Sequence, residues 1–158
     1  MDGLQDDRIT LVGLLTESYT ALRTELDRGL ERDADLPLGW FELLIRLARS
    51  PGHRLRMADL AAQTSLTPSG LTRAIDRLAA AGLVERLPCP SDRRGAFASL
   101  TPAGLERIRA AVGPHLQHVE RYFTSALAAD ERRQLAALLR KVRDHVNPGA
   151  AAVPSEEP

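Results

Sequence analysis

Cysteine is almost missing from this chain: Cys89 is the only one in 158 residues. One cysteine cannot close an internal disulfide, so the fold must rest on its apolar core, and a reducing compartment is expected. No apolar run approaches the roughly 20 residues that cross a bilayer. The opening MDGLQDDRIT is acidic and has no apolar core region, which excludes a secretory signal of the usual kind. A cytoplasmic protein with no membrane partner is the expectation. Enzyme signatures are lacking too: there is no G-x-S-x-G elbow, no phosphate-binding glycine loop and no prominent paired carboxylates. No catalytic residue, cofactor or metal is therefore assigned. Net charge is zero, with 21 basic and 21 acidic residues, and lysine is nearly absent.

What is there is unevenly spread. Residues 1–36 hold nine acids and four arginines, whereas residues 46–101 hold nine arginines and four acids. The distribution of charge says more about nucleic-acid binding than its sum does. At 44% apolar, the chain is rich enough to build one real core.

The element pattern is legible from punctuation and period. Leu4, Leu11, Leu15, Leu22, Leu26 and Leu30 recur at helical spacings over 4–33, with Tyr19 beside the stripe. Pro37 opens a second helix through Trp40 and Leu47, which the breaker cluster Ser50-Pro51-Gly52 ends. A short extended piece, Leu55-Arg56, precedes a short helix from Met57 to Gln63 that lacks a good N-cap. Thr67-Pro68 is a cap followed by proline at the first helical position, and Gly82 is the matching stop. At 100° per residue, Leu71, Ala74, Ile75 and Leu78 share one side of that helix. Ser69, Thr72, Arg73, Asp76 and Arg77 share the other.

Two short helices joined by a tight turn make a helix-turn-helix. Strand-like runs at 83–87 and 96–100, with the basic loop PCPSDRRG between them, add a β-hairpin wing. Thr101-Pro102 opens a long helix in which Gly113-Pro114 predicts a kink or break. A last helix runs from about Ala129 to Val146, and NPGAAAVPSEEP from Asn147 onward reads as disordered. The expected fold is mainly α with a small β-hairpin wing. The chain divides into an N-terminal helix (1–36), a winged helix-turn-helix (37–101), C-terminal linker and end helices (102–146) and a tail (147–158). The terminal helices carry too many leucines for lone surface helices, which fits dimerisation through 1–36 and 102–146.

The run LAAQTSLTPSGLTRAIDRLAAAGLVERLPCPSDRRGAFASLTPAGLERI resembles the winged-helix core of the MarR family of bacterial transcriptional regulators. The most specific stretches are Leu71-Thr72-Arg73, Asp76-Arg77-Leu78, Gly82-Leu83-Val84 and Asp92-Arg93-Arg94-Gly95. The resemblance implies a homodimer with intertwined terminal helices, recognition helices in successive major grooves, and wings in flanking minor grooves of double-stranded DNA. It also implies a repressor released by a small phenolic or otherwise amphipathic effector.

On that reading Ser69, Thr72, Arg73 and Arg77 face base edges, and Gly70 keeps the helix start small against the duplex. Ser65 and Thr67 suit phosphate, as does Arg86. Arg94 is assigned to the minor groove, Asp92 to its orientation and Arg93 to the DNA backbone. Leu11, Leu15, Leu22 and Leu26, with Leu135, Leu138, Leu139 and Val142, are the expected dimer contacts. Trp40 is either core or one wall of an effector cleft with Tyr19 and Leu44. His115 and His118 are three apart, a possible metal pair without a third ligand, and surface solvation is the expected state of both. Cys89, between two prolines, is expected to be an exposed incidental thiol. The rival readings are a winged helix that binds protein rather than DNA, and a metal sensor on the same fold.

Overall fold

The computed structural model describes residues 3–64, 66–89 and 95–151. Helix α1, Asp7–Ala34, starts at Asp6, whose carboxylate accepts the Arg8 N–H at 2.8 Å. The Arg8 guanidinium closes on the same carboxylate and holds its pKa below the ordinary value. The helix ends on Asp35, which takes a left-handed φ of 47° and donates its N–H back to Glu31.

Helix α2 is Leu38–Ala48, one residue later than Pro37 suggested, because Pro37 keeps an extended ψ of 139°. Pro37 has no side chain with which to cap. Asp27 of α1 does so instead, accepting the Leu38 N–H at 2.8 Å.

Strand β1, Arg54–Arg56, replaces the short extended piece expected from sequence. It pairs antiparallel with β3, Ala96–Leu100, which also pairs with β2, Val84–Pro88. The wing hairpin therefore supplies two strands of a three-stranded sheet in the order β1-β3-β2, with β3 in the middle. Helix α3, Met57–Ala62, starts without a side-chain cap, as its sequence predicts. Helix α4, Pro68–Ala80, is capped by Thr67, whose Oγ1 accepts the Gly70 N–H at 3.1 Å. Gly82 follows at φ 73°.

One core joins the elements. Leu30 of α1, Leu44 and Leu47 of α2, Leu55, Leu60, Leu71, Ile75, Leu78 and Ile108 are all essentially inaccessible. Each such side chain contributes about 1.5–3 kcal/mol on burial.

Of the kink or break expected at Gly113-Pro114, the break does not occur: helix α5 runs continuously over Pro102–Tyr122 with Pro114 inside it. Pro114 removes one helical donor, from the carbonyl of Ala110, and Ala110 is exposed to solvent that can replace it. Further along, α5 crosses α1 where Gly29 meets His118. A Cβ on Gly29 would lie 2.6 Å from that ring.

Helix α6, Ala129–Val146, has the expected bounds, and the Glu131 carboxylate accepts the Ala128 N–H at 2.7 Å. It buries none of its residues in its own chain. The tail departs from expectation at its start. Residues 148–151 form a 3-10 turn, and Asn147 Nδ2 donates to the Ala62 carbonyl at 3.1 Å. Residues 152–158 lie outside the described residues.

Candidate nucleic-acid interface

Helix α4 presents two chemically distinct sides. Leu71, Ala74, Ile75 and Leu78 are buried, while Ser69, Arg73, Asp76 and Arg77 are exposed and Thr72 is half-buried. Thr67 is exposed, and its hydroxyl lies 3.3 Å from that of Ser69. Gly70 has a reason within its own chain. A Cβ there would crowd the capping Thr67 oxygen at 3.1 Å. Arg86 on β2 reaches across to Asp76 at 3.1 Å, so a carboxylate already holds the cation expected to contact phosphate. Ser65, Asp92, Arg93 and Arg94 lie outside the described residues.

The turn between α3 and α4 is fixed from behind. Arg46 of α2 donates to the Gln63 carbonyl through Nε and to the Glu42 carbonyl through Nη1, both at 3.1 Å. Sequence reasoning counted Arg46 only as charge. Its position between Ile45 and Leu47, inside an apolar helix, was the available signal.

A cavity of about 140 Å³ opens between α1, α2 and α5. Tyr19, Leu22, Arg23 and Leu26 line it from α1, Leu38, Phe41 and Glu42 from α2, and His115 from α5. Tyr19 is thus where the cleft reading placed it, but Trp40 and Leu44 are not. Leu44 has no exposed surface, and Trp40 packs half-buried against the core. Leu22 and Leu26, taken as dimer contacts, face this cavity in their own chain. Arg23 pairs with Glu42 at 2.8 Å and donates to the Tyr19 hydroxyl at 3.3 Å.

The histidines are not solvated surface groups. His118 is 6% exposed, and its Nε2 lies 2.7 Å from Asp33 Oδ2. Hydrogen bonds from Arg32 and His118 hold the Asp33 carboxyl down to about 2. His115 stacks on Phe41 with ring centroids 4.2 Å apart. Burial, and then the charge of His118, push its pKa below 6.5. Among the described residues no group of three or more histidine, cysteine or acidic side chains gathers as a metal site would require. Cys89 is buried rather than exposed.

A histidine whose folded pKa is depressed binds its proton more weakly folded than unfolded. Its contribution is full above the unfolded value and is lost as pH falls below it. The melting temperature is therefore expected to fall between about pH 7.5 and pH 5.5. His115→Gln should shrink that fall. Scanning fluorimetry of both proteins at the two pH values measures the difference, and equal slopes would exclude His115 as a cause.

The MarR family model matches residues 34–95, which span α2 through β2 and into the wing loop. The chain is 31% identical to the HTH-type transcriptional regulator PecS of Dickeya dadantii over 144 residues, covering 90% of this chain and 86% of that one. It is 42% identical over 81 residues to the multiple antibiotic resistance protein MarR of Escherichia coli. That match spans 49% of this chain and about half of the relative, 54%. Among solved structures, Sco3205, a MarR family transcriptional regulator from Streptomyces coelicolor in complex with DNA, superposes with a TM-score of 0.83. It is 36% identical, over 96% of this chain and 94% of that one. AbsC, from the same organism, superposes with a TM-score of 0.82 at 34% identity, over 92% and 97%. The breadth of these matches, from α1 to α6, settles the question that the winged sheet and its flanking helices raise: this chain belongs to the MarR family of transcriptional regulators.

Proposed function

We propose that the chain acts as a homodimer that binds double-stranded DNA at a specific, near-palindromic operator and represses transcription there. The observation that carries this reading is the exposed face of α4. Ser69, Arg73 and Arg77 are exposed on a helix whose opposite side is locked into the core, and among the described residues neither arginine is held in a salt bridge. Arg73 is assigned to a bidentate contact with guanine, Ser69 and Thr72 to base edges or phosphate, and Arg77 to the groove beside them. Thr67, at the helix N-terminus, and Ser65 are assigned to phosphate. Arg94 enters the minor groove, with Asp92 orienting it and Arg93 on the DNA backbone. Arg86 keeps a phosphate role only if Asp76 releases it or shares it. The DNA held by Sco3205 and the operator DNA held by a MarR mutant from E. coli favour the same occupant.

Dimerisation is supported by the ends of the chain. Leu11, Leu15, Leu138 and Val142 are about half to two-thirds exposed, a poor arrangement for lone helices. A two-fold dimer places half-sites about one turn, roughly 10 bp, apart. Residues 1–36 and 102–146 form the dimer body and 37–101 the reading head. The cavity between α1, α2 and α5 is where we place a small amphipathic or phenolic effector. Its wall joins the body to the head, so a ligand there can act on head position.

The test is fluorescence anisotropy on a duplex selected from a random library by the protein, across a salt series. Specific binding should weaken with salt at about 0.9 per neutralised phosphate. Arg73→Ala is expected to cost about 10–100-fold in affinity and to relax discrimination at one base pair of each half-site. Failure to enrich any sequence would turn the reading toward a protein partner. Titrating simple phenols into the preformed complex tests release, and unchanged anisotropy at saturating phenol would remove the effector from the proposal.

A further inference from the structure

Arg54 and Arg56 have no part in the interface described so far. They flank Leu55, which is buried, and strand alternation puts both on the outer face of the sheet. There they converge on one ring. Arg54 Cζ lies 5.3 Å from the Phe97 centroid and Arg56 Cζ 5.7 Å, both close enough for the ring face to attract a cation.

The place of this stack in the sheet gives it a consequence. Strand β1 pairs with β3 from Ser99 to Phe97 and goes no further. Ala96, the next residue toward the wing tip, pairs only with Pro88 of β2. Phe97 is therefore the last point at which three strands hold the wing, two residues from Gly95. The next rung, Pro88 with Ala96, joins two strands only, the form of sheet that twists most and is least stable alone.

We propose that the Arg54–Phe97–Arg56 stack is a brace that fixes the angle at which the wing leaves the sheet, and so where its tip meets DNA. Phe97, Arg54 and Arg56 act as positioning residues and do not themselves touch the duplex. The proposal rests on the DNA-binding reading for its consequence, but the brace itself can be measured without DNA.

The test uses the full chain and three variants. Phe97→Leu keeps an apolar strand residue and removes the ring, Phe97→Tyr keeps the ring, and Arg54→Ala removes one cation. The first measurement is hydrogen exchange, with a melting curve to establish that each variant folds. The Cys89 N–H, which donates to the Gly95 carbonyl at 3.1 Å, reports the wing root. Its exchange should accelerate about tenfold in Phe97→Leu and stay unchanged in Phe97→Tyr. Unchanged exchange in Phe97→Leu overturns the brace whether or not DNA binds.

The second measurement is hydroxyl-radical footprinting on the selected duplex. Phe97→Leu should lose protection in the flanking minor grooves and keep it around the central major grooves. An unaltered footprint overturns the proposed effect on wing placement. In a salt series Arg54→Ala should leave the slope as it is. A slope smaller by about 0.9 would make Arg54 a phosphate contact and overturn its positioning role. If the parent binds no duplex while Phe97→Leu still loosens the wing root, the DNA reading fails and the brace survives.

Discussion

Gly104→Ala is expected to destabilise the protein by about 3 kcal/mol or more, a cost of the size reserved for overpacking against something that cannot move. Helix propensity argues the other way, since alanine in place of an internal helical glycine favours the helix by about 1 kcal/mol. Geometry decides between them. A Cβ on Gly104 would lie 1.9 Å from the Leu83 carbonyl oxygen and 2.9 Å from its carbon. That carbonyl is not at liberty to shift, because it accepts the Thr101 N–H at 3.1 Å. The Thr101 hydroxyl meanwhile caps α5 through the Gly104 N–H at 3.0 Å and reaches the Gly82 carbonyl at 2.7 Å. The methyl would have to push apart the start of α5 and the approach to β2. Urea unfolding followed by circular dichroism measures the loss. A variant as stable as the parent would mean that α5 and Leu83 are not in the contact described.

The double substitution Leu138→Asp and Val142→Asp should convert the proposed dimer to a monomer and reduce DNA affinity by more than about 100-fold, since two linked reading heads gain from effective concentration. Residues 138 and 142 are one helical turn apart, 58% and 51% exposed, and α6 buries nothing in its own chain. Both side chains are about half uncovered in their own chain, so the substitutions remove little intrachain packing, and the monomer should keep its helical content. Light scattering on a sizing column gives the mass, and anisotropy gives the affinity. A variant that remains dimeric would place the dimer contacts elsewhere, on the Leu11–Leu15 side of α1 for example.

The parts of the fold that local chemistry dictates were legible in the sequence. Thr67-Pro68 and Thr101-Pro102 each mark a helix start that the structure contains, because capping needs only a hydroxyl and three residues of context. The buried side of α4 followed from the 3.6-residue period alone. What was missed depends on partners distant in sequence. Strand β1 is three residues long and is a strand only because β3 pairs with it, some forty positions later. The cap of α2 comes from Asp27, eleven residues back on another helix. Pro114 read as a break because proline statistics average over contexts, and a solvent-facing Ala110 is a mild one. His118 read as surface because nothing near it in sequence announces Asp33, 85 residues away, as its partner. The cavity illustrates the same limit. Tyr19 lines it, a position its place beside the leucine stripe allowed. Phe41 and His115 meet only when α2 and α5 are packed.

The unbroken course of α5 makes it a lever. Its 21 residues span about 32 Å at 1.5 Å each, so a tilt of about 10° at the wing end swings the far end by roughly 5 Å. In the proposed dimer, two such arms pivoting on their far ends would carry the wing ends in opposite senses, and the separation of the reading heads would change by about 11 Å, roughly two helical turns, for a tilt that small. Repositioning the heads against a fixed operator spacing therefore needs no hinge. The one weak place in each arm is the carbonyl of Ala110, left without its helical donor by Pro114, and the bending stiffness there sets how faithfully a tilt at one end becomes a displacement at the other.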